Sequence, residues 1–148
     1  MGRKTNPKIL RIGTILRTWD SRWFDDRPRD YRQKLLEDLR IRRHIQKELR
    51  NASISQIEIT RQPRELVLTI HSSRPAVVIG RGGSGIEKLQ KDLRAILKGA
   101  YPIRINVQEV RNPDTDAAAV ATQVVDQLER RMPFRRILKQ SVQRSRQA

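Results

Sequence analysis

Between an apolar run and a helix-like run, the stretch "VVIGRGGSGIEKL" (residues 77–89) places Gly80, Gly82, Gly83 and Gly85 within six positions. Glycine has no Cβ, so it takes up positive φ and lets another backbone approach closely, at an entropic cost. A helix that begins just after such a loop offers unpaired N–H groups to an anion. The chemistry this spacing can do is therefore phosphate binding, and the phosphate could belong to a dinucleotide, to ATP or to a nucleic acid. Gly80-Arg81-Gly82-Gly83-Ser84-Gly85 satisfies G-x-G-x-x-G, but the dinucleotide reading needs a buried parallel strand directly before the loop. "PAVVI" could be a short strand. A hairpin precedes it, however, and Glu109, the nearest carboxylate for a ribose, comes late. The ATP reading needs Lys and then Ser or Thr after Gly85, where the chain has Ile86 and Glu87. In the third reading Gly80-Arg81-Gly82-Gly83 is a G-x-x-G turn between two helices. Val78 and Ile79 before it, and Ile86 and Leu89 after it, are then the apolar positions that pack those helices.

Other reactive side chains are sparse. His44 and His71 are the only histidines and read as surface or core-edge residues. There is no cysteine, hence no disulfide framework and no thiolate metal site. Asp114 and Asp116 read as caps of a helix start, and Asp25 and Asp26 lie in an irregular segment. No catalytic constellation, cofactor or metal site is expected.

Charge points to the partner. The chain has 148 residues, enough for one domain with additions, and 32 Lys and Arg against 16 Asp and Glu, a net charge of +16. Such an excess favours polyanions, nucleic acid first and a membrane surface second. No apolar run approaches the length of a spanning helix, no signal-peptide pattern follows the basic start, and an intracellular location is expected. The cations gather at two ends. Arg3, Lys4, Lys8, Arg11 and Arg17 lie in residues 1–19. Arg130, Arg131, Arg135, Arg136, Lys139, Arg144 and Arg146 lie in 130–148, and neither stretch holds an acid. Trp19, Trp23 and Phe24 lie in the N-terminal segment, where aromatics either stack on bases or anchor an arm onto the domain. Anchoring is the expectation.

The elements that must position the loop can be read from periodicity. A helix is predicted over 31–50, with Asp30 and Gln33 as a variant capping box, Asn51 as its stop, and Tyr31, Leu35, Leu39, Ile45 and Leu49 inward. Arg32, Arg40, Arg43 and Lys47 make a basic stripe on its other face. "QIEIT" and "LVLTI" alternate as strands joined through Pro63. Pro75 opens a short helix with Ser73 as a candidate cap. After the glycines, Ile86, Leu89, Leu93, Ile96 and Leu97 mark a helix that Gly99 ends, and "IRINVQ" is a third strand. Pro113 and Asp114 open another helix with Ala117, Val120, Ala121, Val124 and Leu128 as its stripe. After Pro133, Phe134, Ile137, Leu138 and Val142 restart an amphipathic pattern.

The order helix, strand, strand, helix, G-x-x-G, helix, strand resembles the second type of KH domain, in which the loop clamps a single-stranded backbone. The expected class is α+β, a three-stranded sheet packed on helices. The predicted organisation is a basic arm over 1–29, a type II KH domain over 30–111 and C-terminal helices over 112–148. The resemblance extends further. "GRKTNP", "RTWDSRWF", "DLRIRRHI", "VVIGRGGSGIEKL", "INVQEV" and "QLERRMPFRRILKQSVQR" follow one another as in the bacterial-type family of small-subunit ribosomal protein three. That resemblance implies a structural rRNA-binding protein of the subunit head that helps form the mRNA entrance. It implies ribosomal proteins ten and fourteen as neighbours, no membrane, and a cytoplasmic or organellar ribosome as location. It implies RNA contacts at Gly80, Arg81, Gly82 and Gly83 and at the basic ends (Arg3, Lys4, Lys8, Arg11, Arg17, Arg130 and Arg131), and mRNA contacts at Arg135, Arg136 and Lys139. Family members often carry a basic residue where Gly82 stands, which leaves Arg81 as the loop's only charge. They usually continue into a second α+β domain, and residues 112–148 read as its opening helices, truncated at Ala148. A non-ribosomal KH protein, an assembly factor or RNA chaperone, is the alternative; a nucleotide-dependent enzyme is a third class.

Overall fold

The structure, a computed structural model, describes residues 2, 4–14, 19–97 and 102–148. The elements are α1 (Pro7–Arg11), β1 (Ser21–Arg22), α2 (Pro28–Glu48), β2 (Ile54–Arg61), β3 (Leu66–Ser72), α3 (Pro75–Ile79), α4 (Ser84–Ile96), β4 (Ile103–Glu109), α5 (Ala117–Glu129) and α6 (Phe134–Gln147).

Alternation of apolar residues builds the sheet. β2 and β3 pair antiparallel, β3 and β4 pair parallel, and the order is β1-β2-β3-β4. The parallel pair needs a long crossover, and α3, the glycine loop and α4 supply it. The register sets Ile57 beside Ile70, Ile59 beside Leu68, and Leu66, Leu68 and Ile70 beside Ile103, Ile105 and Val107. These rows share one face, where cross-strand apolar pairs stabilise the sheet. Ile41 and Ile45 of α2, Val78 of α3, and Leu89 and Leu93 of α4 close the core over it. The three expected strands are present. The sheet gains a fourth, β1, from the arm: Ser21 and Arg22 lie parallel to Ile59 and Thr60. Two residues are too few to show a period. A second unexpected element, α1, starts at Pro7 after Asn6, whose Oδ1 accepts the Lys8 N–H at 2.9 Å.

α2 departs from its expected boundaries and face. Pro28 occupies its first turn, where a missing N–H leaves nothing unsatisfied. Arg27 is the N-cap residue and no side chain caps it, so the Asp30–Gln33 box does not form. Gln33 donates to Glu37 instead. The helix ends at Glu48 in a 3₁₀ turn over Arg50–Ala52, and left-handed Ser53, not Asn51, stops it. The buried positions are Asp38, Ile41 and Ile45, with Leu49 packed on the core; Tyr31, Leu35 and Leu39 are nearly half exposed.

α5 and α6 form a helical hairpin, with α5 against β2. Asp116, not Asp114, caps α5 and accepts the N–H groups of Ala118 and Ala119. Arg131 is left-handed (φ 59°) and closes α5: its N–H reaches the Leu128 carbonyl and that of Met132 the Gln127 carbonyl. This is the Schellman arrangement, which glycine normally occupies. Of the apolar face expected on α6, only Ile137 is buried; Phe134, Leu138 and Val142 are each more than half exposed.

Candidate nucleic-acid interface

The element before the glycines is a helix, which removes the dinucleotide reading. Pro75 sits in the first turn of α3, and Arg74 rather than Ser73 is its N-cap residue; the Ser72 hydroxyl accepts the Arg74 N–H. The Gly80 N–H closes α3 on the Ala76 carbonyl at 3.0 Å. A tight turn over Arg81–Gly83 then leads directly into α4.

The four glycines divide into two pairs with different physical reasons. A Cβ on Gly80 would lie 2.8 Å from the Gly85 nitrogen, and one on Gly85 would lie 2.6 Å from the Val78 carbonyl oxygen. These two let the backbones of α3 and α4 touch, and Gly80 also holds a positive φ of 72°. Gly85 is thus a packing residue, which accounts for a glycine in the first turn of a helix. Gly82 (φ 62°) and Gly83 (φ 86°) meet nothing within 4 Å, so their need is conformational and the space above them is open. Arg81 projects there, exposed and without an ion pair to any described residue. No side chain caps α4, so its first N–H groups are open to an anion brought over the loop. Val77 and Ile79 leave an apolar, partly exposed shoulder beside it.

The acids near the other cations are engaged within the fold. Lys8 contacts Asp20 at 2.5 Å, and Gln56 donates to the same carboxylate at 2.6 Å. Burial raises the Asp20 pKa, but those hydrogen bonds and the charges of Lys8 and Arg42 outweigh it and hold it below the usual carboxylate value. Lys34 contacts Asp25 at 2.5 Å, and that hydrogen bond lowers the Asp25 pKa. At Asp116 burial again raises the pKa, while the Ser55 hydroxyl, two helix N–H groups and the charge of His71 bring it below the usual value. Arg22 pairs with Glu58, Arg50 with Glu129 and Lys88 with Glu48. Arg42 ties the arm to the sheet, donating to the carbonyls of Ile57 and Asp20 and to the Ser21 hydroxyl. Periodicity gave no sign of that role.

Lys4, Arg11, Arg130, Arg131, Arg135, Arg136 and Lys139 are exposed. Lys8 is already paired, and Arg11 donates to the Pro7 carbonyl at 3.2 Å. Arg3, Arg17 and Gly99 lie outside the described residues. On α6, Arg135, Arg136 and Lys139 make no ion pair with a described residue, and the Arg135 guanidinium lies 5.8 Å from the Phe134 ring centroid. The loop and the α6 cations are separate groups on different elements. His44 lies 3.7 Å from Asp92 and His71 3.4 Å from Glu58, both partly buried. Among the described residues no group of three His, Asp or Glu could hold a metal ion, and no helix is long and apolar enough to cross a membrane.

Comparison with known proteins agrees with the loop geometry. Residues 40–115 match the model of the KH domain. The chain is 47% identical over 145 residues to small ribosomal subunit protein uS3 of Exiguobacterium sibiricum, covering 98% of this chain and 65% of that protein. It is 47% identical over all 148 residues to uS3 of Synechocystis sp., 61% of that protein, and 44% identical to uS3 of Desulforamulus reducens over 98% of this chain and 64% of that protein. The chain spans a little under two thirds of the length of these relatives.

Proposed function

The chain belongs to the KH-domain family and is homologous to uS3 proteins over nearly its whole length, and on that premise we propose that it is a structural, non-enzymatic constituent of the small ribosomal subunit. It binds rRNA in the subunit head. The observation that carries this reading is the extent of the similarity. A free-standing KH factor would share residues 40–115, but the likeness to uS3 runs through the arm and through α5 and α6 as well. The non-ribosomal alternative is therefore not favoured.

The loop supports a role for Gly80, Arg81, Gly82 and Gly83 in clamping a sugar–phosphate backbone, with Arg81 as the single charge. Their exposure supports Lys4, Arg11, Arg130 and Arg131 as further phosphate contacts in this proposal, to which Arg3 and Arg17 also belong. Lys8 contributes less, because Asp20 holds it. Arg135, Arg136 and Lys139 suit a moving strand: they attract phosphate without reading bases, so they hold mRNA without fixing its sequence. This makes α6 our candidate for the mRNA entrance, with ribosomal proteins ten and fourteen as neighbours and the ribosome as location.

Sedimentation tests the reading. The protein should remain in small subunits washed at high salt. The Arg81→Asp variant should fold normally but bind a single-stranded rRNA fragment more weakly, and replacing Arg135, Arg136 and Lys139 by Ala should spare subunit assembly while slowing translation of messages structured downstream of the start. Release of the wild-type protein in the salt wash refutes the structural role. Unaltered RNA binding by Arg81→Asp removes the loop from the interface.

A further inference from the structure

We propose that the cleft beside Phe24 is a second RNA site, one that takes an unpaired nucleobase from a single-stranded segment; this rests on reading the chain as an RNA-binding protein. Trp23 and Phe24 are adjacent, yet the structure uses them differently. The Trp23 ring packs on Tyr31 with centroids 5.1 Å apart, its N–H donates to Asp38 at 2.7 Å, and the Arg61 guanidinium lies 5.8 Å from its ring. Trp23 is the anchor of the arm. Phe24 is 81% exposed. It lines a cavity of about 310 Å³, with Trp23, Arg61, Gln62, Pro63 and Glu65 among the other lining residues.

The chemistry of that lining fits a base better than a protein surface. Phe24 offers a free π-face, and such faces hold unpaired bases by stacking. Pro63 makes an apolar wall. Gln62 brings an amide with both donor and acceptor, which is what a base edge needs. Lys34 and Arg61 also line the cavity but are held by Asp25 and by Asp38 and Glu37, and Glu65 is an acid in the lining. The charge for the flanking phosphates therefore comes from exposed Arg64, which follows Pro63 in the same turn. The cavity volume sits at the lower end of the small-ligand range. The site lies where β3 begins, whereas the glycine loop follows the other end of β3. An extended strand of that length spans about 20 Å, so the two sites are distinct contacts on one domain.

The test uses Trp23 as reporter. In the full chain carrying Trp19→Phe, Trp23 is the sole tryptophan. Titration with short oligoadenylate should quench its fluorescence, while inorganic polyphosphate should bind without quenching. Adding Phe24→Ala should weaken oligoadenylate binding about fivefold or more, Phe24→Tyr should retain it, and Phe24→Leu should not. Phe24 is largely exposed, so these variants should fold, and matching circular dichroism spectra check that. Unchanged affinity in Phe24→Ala, full affinity in Phe24→Leu, or equal quenching by polyphosphate overturns the base site while leaving the RNA-binding reading intact. Failure of the wild-type chain to bind either oligoadenylate or an rRNA fragment overturns both.

Discussion

Arg61→Met is the most informative perturbation of the fold, because one guanidinium holds together groups far apart in the chain. Arg61, on β2, donates to Asp38 Oδ1 at 2.6 and 3.0 Å, to Glu37 at 2.9 Å and to the Lys34 carbonyl at 3.2 Å. Its side chain is 7% exposed and that of Asp38 4%. Methionine fills similar space but leaves the Asp38 carboxylate buried with only the Trp23 N–H as partner. Removing one member of a buried pair typically costs about 3–5 kcal/mol. That is a large share of the roughly 5–15 kcal/mol that keeps a domain folded. The double variant Arg61→Met/Asp38→Leu removes both charges. It strands only the Trp23 N–H, worth about 1–3 kcal/mol, since Glu37 can turn toward water. The double variant should therefore be more stable than Arg61→Met alone by about 1 kcal/mol or more. Urea unfolding followed by circular dichroism measures both from the midpoint at unchanged m-value. A loss below about 1 kcal/mol in the single variant, or a double variant whose loss equals the sum of the singles, would refute the view that this cluster pins the arm to the sheet.

Three further outcomes follow from the geometry. Asp20 and Asp116 titrate below their ordinary values, so each adds stability that is full above the unfolded pKa of about 4 and is lost as pH falls through the lower folded value. Asp116→Asn should flatten the acid limb of a thermal-stability profile, and an unaltered limb would remove Asp116 from that account. Gly85→Ala should destabilise more than Gly83→Ala, since the first drives a Cβ into the Val78 carbonyl while the second meets only a left-handed backbone costing about 1–2 kcal/mol; urea midpoints of the two variants decide the order. Arg131→Gly should raise the urea midpoint by the equivalent of about 1 kcal/mol, because it relieves a left-handed residue at the end of α5.

Local signals were legible where they act locally. Alternation located β2, β3 and β4, and the G-x-x-G turn with Val78 before it and Leu89 after it fixed the helix–loop–helix crossover. Of the expected α2 stripe, Ile45 and Leu49 pack inward, whereas Tyr31, Leu35 and Leu39 do not, for a physical reason. Its leucines outnumber its core residues, and a periodic reading follows the majority, but the C-terminal part of the helix supplies the core residues Ile41 and Ile45. Around Asp38 and Tyr31 it is Trp23 that packs. An inward carboxylate looks like an error in an apolar stripe until its partner, 23 residues away on β2, is in place. No window short enough to show a helix contains both.

The same distinction separates what the sequence revealed of the site from what it hid. The phosphate loop is contiguous, so its glycines announced it. Which of them meet a neighbouring backbone (Gly80, Gly85) and which need only a positive φ (Gly82, Gly83) depends on how α3 and α4 cross, which is a property of the tertiary structure. Trp23 and Phe24 carried one compositional signal with two meanings, anchoring and stacking. The structure assigns anchoring to Trp23 through Asp38, Tyr31 and Arg61. With the arm fixed there, Phe24 is held at the mouth of a cavity instead of being free to collapse onto the core. The network that secures the arm thereby also presents the exposed ring, and Arg61 lines the same cavity, so Arg61→Met should weaken base binding both by loosening the network and by removing a cation from the lining.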